Sequence, residues 1–168
     1  DPIWFVDSEK VNSIFTNDFD KTYNIKFVEN NKPIKQHHKK YPLHKYAPAW
    51  KTLEFLSLGS VYVLYSCILD VNLKKEIASC YGIKKHLIFQ NYLKTIVFVR
   101  NICAHNDLLY DSNTITEVET TPMISFNNNN RHSLDSSIKV ILYFLSKISE
   151  NRMQETKLEI GKVFDKYR

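Results

Sequence analysis

KKHLIFQNYLKTIVFVRNICAHNDLLYD, residues 84 to 111, is an oily segment that closes on Arg100, Asn101 and His105. At roughly 100° per residue, Ile88, Tyr92, Ile96, Val99 and Cys103 fall within an arc of about 80°. The stretch therefore predicts a long helix starting near Lys84, with that stripe in the core. Asn101 and His105, four apart, lie about 40° from each other and nearly opposite the stripe. Leu87 and Phe98 point to the same far side. A helix that is apolar on two sides is a covered helix, so its second face is expected to meet missing sequence or a second subunit.

Outward from this helix, the remaining signals are also helical. With only 3 Gly and 5 Pro in 168 residues, turn signals are few. Pro48 suits a first helical turn, and Leu53, Leu56, Val61, Leu64 and Ile68 carry that helix to about Leu69. Asn72 is expected to cap a short helix that Gly82 ends. Ser133 or Asp135 caps a helix bearing Ile138, Ile141, Leu142, Leu145 and Ile148, and a last helix carries Ile160, Val163, Phe164 and Tyr167. Between Tyr110 and Asp135 lies a polar loop containing NNNN (127–130), with a short strand pair at TITEV and MISF. The expected fold is an all-α bundle in one domain over 1–168. Residues 1–45 read as peripheral, with one short helix near Ser8, Val11, Ile14 and Phe15.

Composition narrows the function. Hydrophobic residues at 43% and charged residues at 24% describe a globular chain. Phe55 to Leu69, the longest run without a charge, has 15 residues, short of the roughly 20 that span a bilayer, so no membrane role is expected. Cys67, Cys80 and Cys103 lack metal-site spacing and read as buried thiols of a reducing cytoplasm. No metal or cofactor is expected, since phosphate-binding glycine loops and nucleophile elbows are also missing. The net charge of +5 is uneven. Asn30 to Leu53 has no acid but holds Lys32, Lys35, Lys39, Lys40, Lys45, Lys51, His37, His38 and His44, whereas from Asp111 onward eight basic residues face eight acidic ones. A basic segment in a balanced background points to an anionic partner, nucleic acid first, or to a solvated lysine-rich loop.

The residue types at the end of the opening helix suit RNA cleavage without a metal. Histidine can act as general acid or base on a 2′-hydroxyl or a leaving oxygen, and arginine gives planar stabilisation to charge on phosphorus. Asn101 is placed to hydrogen-bond the His105 ring and fix its tautomer. The bland alternative is a helix-end arginine and histidine favoured by the dipole. Glu54, in an apolar turn, reads as an ion-pair partner for Arg100 or a lysine. Tyr110 reads as a core aromatic or a stacking surface for a base.

RNICAH followed by LLY is more specific than this chemistry alone. It resembles the RNxxAH signature of the Abi-like abortive-infection family in the HEPN superfamily. PAWKTLEFLSLGSVYVLYSCI (48–68) is similar to that family's P-x-W-x-x-x-E-x-x-S-x-G pattern, and HHKKYPLHKY to its His/Lys/Tyr-rich stretch. Together they span about residues 37 to 111 in the family's order. The resemblance implies an all-α HEPN-like bundle, frequent homodimers, and a metal-independent endoribonuclease of bacterial phage defence that leaves a 2′,3′-cyclic phosphate. It carries the catalytic pair onto Arg100 and His105, with Asn101 beside them. Lys35, His38, Lys39, Lys40, Lys45 and Tyr110 are the expected RNA contacts, and two motif helices meeting in a homodimer would share one phosphate. An antitoxin protein or a small RNA is the expected silencing partner, and a non-catalytic RNA-binding or regulatory module is the alternative. The chain departs from the family at Leu108, often basic, and at Asp111, often Asn. The family's first helices are expected to precede Asp1.

Overall fold

The computed structural model describes residues 1–110, 112–126 and 130–166. Asp111, most of the NNNN run (127–129) and Tyr167 lie outside the described residues. Among those described there are nine α-helices and no strand, so the fold is all-α as expected. The helices are α1 (Ser13–Thr22), α2 (Ile25–Asn30), α3 (Lys32–Lys40), α4 (Ala49–Thr52), α5 (Leu58–Cys67), α6 (Val71–Cys80), α7 (His86–Ala104), α8 (Leu134–Ile148) and α9 (Glu150–Lys166). The chain divides into two compact units, Asp1–Lys74 and Lys75–Arg168, with the boundary inside α6.

The first unit is built on aromatic packing. Asn12 caps α1 through its side chain, which accepts from the Ile14 N–H (2.9 Å). This sets Phe15 and Phe19, four apart, on one buried face with Phe5, Val11, Ala49, Leu64 and Cys67. Burial of each large side chain contributes about 1.5–3 kcal/mol. Phe19 packs its ring 5.1 Å from Phe5 and 5.6 Å from Tyr46. Backbone bonds from Asn12 to the Cys67 carbonyl and from Leu69 to the Lys10 carbonyl, both 2.8 Å, pin the entry of α1 to the exit of α5. Residues 1–45 are therefore not peripheral: Phe5, Val11, Phe15, Phe19 and Ile34 are buried.

The helix expected over 48–69 is broken. Pro48 is the N-cap of α4, not its first residue. A 3-10 turn at Leu53–Phe55 follows, Leu56 is extended, and the Ser57 hydroxyl accepts the Ser60 N–H (3.1 Å) to start α5. Ser57 offers the backbone a competing bond, and the helix restarts on it. In the same way Asp70, rather than Asn72, captures the first N–H groups of α6, those of Asn72 (2.8 Å) and Leu73 (3.2 Å).

In the second unit α7 packs on α8, and α8 on α9. The buried side of α7 is Phe89, Tyr92, Thr95 and Val99. The expected stripe held at Tyr92 and Val99, while Ile88 and Ile96 are half-buried and Cys103 is exposed. Ser133 caps α8 by accepting the Ser136 N–H. The buried side of α8 is Ser136, Ser137, Val140 and Phe144, not the Ile138–Ile148 stripe, whose last member is exposed. Asp135, Lys139 and Ser146 mark the polar side of α8, and the small, fully buried Ser136 and Ser137 mark where it approaches its neighbours. TITEV and MISF form no strand pair; an isolated bridge joins Thr121 to Ile124.

Gly82 ends α6 as expected. At φ +75° it lets Ile83 N–H reach the Ala78 carbonyl (3.0 Å) and its own N–H reach Ser79 (2.8 Å). A Cβ there would lie 3.1 Å from the Tyr143 hydroxyl, which donates to the Tyr81 carbonyl (2.5 Å). Gly82→Ala is expected to cost about 1–2 kcal/mol from the left-handed backbone, with further loss from the displaced Tyr143 bond. Chemical denaturation followed by circular dichroism checks this.

Candidate functional site

The end of α7 presents the polar cluster. His105 is the C-cap, with φ −99° and ψ 5°. Asn106 follows in the left-handed region at φ 57°, and the Asp107 N–H returns to the Ile102 carbonyl (3.1 Å). This closes a Schellman turn, with asparagine where glycine is commonest. Arg100, Asn101 and residues 103–108 are all exposed, so the helix offers Arg100, Asn101 and His105 to solvent.

Their mutual geometry differs from the helical-wheel expectation. Arg100 Nη1 donates to Asn101 Oδ1 (3.0 Å), so the asparagine holds the arginine rather than the histidine. His105 still sits one turn above Asn101, its N–H bonded to the Asn101 carbonyl (3.0 Å), but no side-chain bond joins the two. One guanidinium proton is thereby fixed, and the remaining donors of Arg100 stay available. Leu108, 76% exposed, leaves apolar surface beside this segment, and Leu87, 66% exposed, does so at the opposite end of α7. Tyr110 is 81% exposed and is not a core aromatic. Glu54 is exposed and makes no ion pair with a described residue, so the expected pairing is absent.

The basic segment belongs to the first unit. On α3, Ile34 and His37 face inward, and the lysines point out. Lys35 pairs with Glu29. Lys45 pairs with Asp20 (2.8 Å) and lies 4.9 Å from the centre of the Tyr46 ring. The Asp20 bond raises the Lys45 pKa, and the bonds from Lys45 and then Tyr46 hold the Asp20 carboxyl below its usual range. His38 is half-buried, its Nε2 bonded to the Tyr23 hydroxyl (2.8 Å), which also accepts the Ala47 N–H (2.8 Å). Lys39 and Lys40 are exposed and make no ion pair with a described residue. Of the expected RNA contacts in this unit, Lys39 and Lys40 thus present charge that no described carboxylate neutralises, Lys40 lying 5.2 Å from the centre of the Tyr41 ring, while Lys35, His38 and Lys45 are tied into the fold.

His37 has a structural position that its charge-rich neighbourhood conceals. It is 6% exposed, and its Nε2 lies 3.1 Å from His44 Nδ1. Its spacing of three from Ile34 was the available signal. Cys67 is buried, and burial pushes its thiol up; Cys80 and Cys103 are exposed, contrary to the expected burial. Among the described residues no group of three His, Cys, Asp or Glu could hold a metal ion. No helix there is long and apolar enough to cross a membrane.

A family model described as Abi-like protein matches residues 1–111. That is well over half of the chain and includes the basic segment and the end of α7. The chain belongs to this Abi-like family, which suggests a part in abortive infection, a phage-defence response. No curated protein and no solved structure gives a match.

Two outcomes follow from this geometry. Asn106→Val is expected to cost about 1–2 kcal/mol, because a β-branched residue is strained at positive φ, while Asn106→Gly leaves stability unchanged or higher. Thermal melts of the two variants check this. Burial, then the charge of Lys51 and the rings of His38 and His44, hold the His37 pKa below its usual 6.5. The unfolded chain then binds a proton that the folded chain does not, so this contribution is complete above about pH 6.5 and is lost as pH falls through the folded value. The melting temperature is expected to drop between about pH 7.5 and pH 5, and to drop less in His37→Gln. The lowered Asp7 and Asp20 carboxyls act in a separate window, below the usual 3.8 of an aspartate.

Proposed function

We propose that the protein is a metal-independent endoribonuclease of bacterial phage defence, of HEPN type, working in the cytoplasm. The observation that carries this reading is the solvent-facing Arg100–Asn101–His105 cluster at the end of α7, inside the family-matched segment. In the proposed reaction a ribose 2′-oxygen attacks the adjacent phosphorus. The O2′–P bond forms and the P–O5′ bond breaks, leaving a 2′,3′-cyclic phosphate and a 5′-hydroxyl. The 2′-hydroxyl proton is taken up by a base and the departing O5′ gains one, and His105 serves one of these transfers. Arg100 stabilises charge on the non-bridging oxygens, and Asn101 acts through Arg100 as a positioning residue.

Two copies of the chain meeting along α7 would supply arginine and histidine from both sides of one phosphate. Such a pairing would also cover Leu87 and Leu108. Lys39 and Lys40 would attract the RNA backbone in a salt-dependent way. An antitoxin protein or a small RNA would hold the enzyme silent.

Total RNA incubated with the purified protein in the presence of a chelator is expected to be cut. His105→Ala and Arg100→Ala are expected to lose about 100-fold or more, and Asn101→Ala less. Intact RNA at high protein concentration overturns the enzyme reading. RNA binding that survives His105→Ala in an inactive protein favours the non-catalytic binding module instead.

A further inference from the structure

The second unit contains a concavity that the cleavage chemistry does not use. It is lined by Leu134 and Ile138 from α8, by Ile160 and Phe164 from α9, and by Tyr110. Phe164 is 49% exposed, and neither ring makes a ring contact or hydrogen bond with a described residue. At one end the wall becomes polar, with Asn113, Asn130 and Ser133, and the volume there is ≈ 570 Å³. That is the size and character of a small-ligand site: apolar, with a few convergent polar groups.

Charge says what kind of group fits. Among the described residues the lining has no lysine or arginine, and its two carboxylates, Asp135 and Glu159, are paired with Lys139 (2.9 Å) and Lys162 (2.6 Å) outside it, so the groove itself offers no cation to a phosphate. A planar, uncharged ring with amino and carbonyl edges suits it, because aromatic faces accept a stacked base. The Asn113 and Asn130 amides form no side-chain hydrogen bond with a described residue. Each offers two donors and an acceptor to a base edge. Tyr110 follows His105 by five residues, which at about 3.6 Å each keeps the two within about 18 Å, the reach of a few nucleotides.

We infer that this concavity is a nucleobase subsite, which seats one unpaired base of a single-stranded RNA between Tyr110 and Phe164 and reads its edge with Asn113 and Asn130. The inference rests on the proposed RNA substrate and makes it more specific: the target carries an unstacked base near the cleavage point, so a continuous duplex is a poor ligand.

The test separates binding from cleavage. A short fluorescent oligoribonucleotide, 2′-methoxy throughout so that it cannot be cut, is titrated at low salt, with an abasic residue placed at each position in turn. One abasic position is expected to weaken binding to the wild-type protein by about tenfold. That penalty is expected to disappear in Tyr110→Ala and shrink in Asn113→Ala, two exposed residues whose loss leaves the fold intact, and to persist in His105→Ala. An equal penalty in wild type and Tyr110→Ala, or no binding at low salt, overturns the subsite. A change in the solution mass of Phe164→Ala relative to wild type also overturns it, by making the groove an interface between copies. Cleavage of total RNA is scored separately, so the subsite can fail while the enzyme stands, and a Tyr110-dependent penalty can stand without cleavage.

Discussion

The second unit depends on a pair of adjacent side chains, Asn91 and Tyr92. Tyr92 is completely buried, and a buried hydroxyl must find an acceptor. It donates to the Glu119 carbonyl (2.8 Å). Asn91 grips the same segment twice, donating to the Glu117 carbonyl (2.8 Å) and accepting from the Glu119 N–H (2.9 Å). The segment thus held turns back on itself. Val118 N–H bonds to the Arg131 carbonyl (3.0 Å), Arg131 Nη1 returns to the Val118 carbonyl (3.1 Å), and Thr114 N–H bonds to the His132 carbonyl (2.8 Å). These bonds deliver the chain to Ser133, where α8 begins and brings Phe144 against Tyr81, Phe89 and Tyr92. Three hydrogen bonds from one turn of α7 therefore determine where α8 stands and where the groove opens.

That dependence also explains what the sequence made legible. Periodicity disclosed α7, α8 and α9, because an apolar repeat of about 3.6 is a local property, but not α2 and α3 in the basic stretch. Caps were visible where one side chain satisfies the nearby backbone, as at Ser133 and Gly82. The 112–126 segment was not legible, because its order comes from side chains more than 20 residues away (Asn91 to Glu117). The N-terminal core was hidden for a related reason: Phe5, Phe15 and Phe19 show weak periodicity alone but meet Tyr46 and Leu64 in space. The break at Ser57 was readable in principle, since a serine before Leu-Gly-Ser is a cap signal. The strong apolar run around it outweighed that signal.

The candidate site divides in the same way. That Asn101 and His105 would stand clear of the core followed from their angles on α7. Which side chain Asn101 would hold did not, because a helical wheel gives the direction of each Cβ and not the reach of the Arg100 guanidinium back to its neighbour. Among the lysines, charge was legible and commitment was not. Lys45 reaches Asp20 and Lys35 reaches Glu29 through contacts that no run of basic letters discloses. A histidine in such a run reads as a phosphate contact until burial shows otherwise, as it does for His37.

The local charge at the end of α7 bears on how the proposed function would work. Over residues 97–110, Arg100 is the one side chain with a fixed positive charge and Asp107 the one with a negative charge. Leu108, which is exposed, adds none. A site so nearly neutral draws little on counterion release, and affinity must come from elsewhere on the chain. Lys39 and Lys40 supply charge in the first unit, and the groove beside Tyr110 offers stacking surface in the second. The Arg100–Asn101 bond matters more for this reason. Under the proposed function one cation would meet the phosphate, and holding its guanidinium in place would lower the ordering cost of each bond it made.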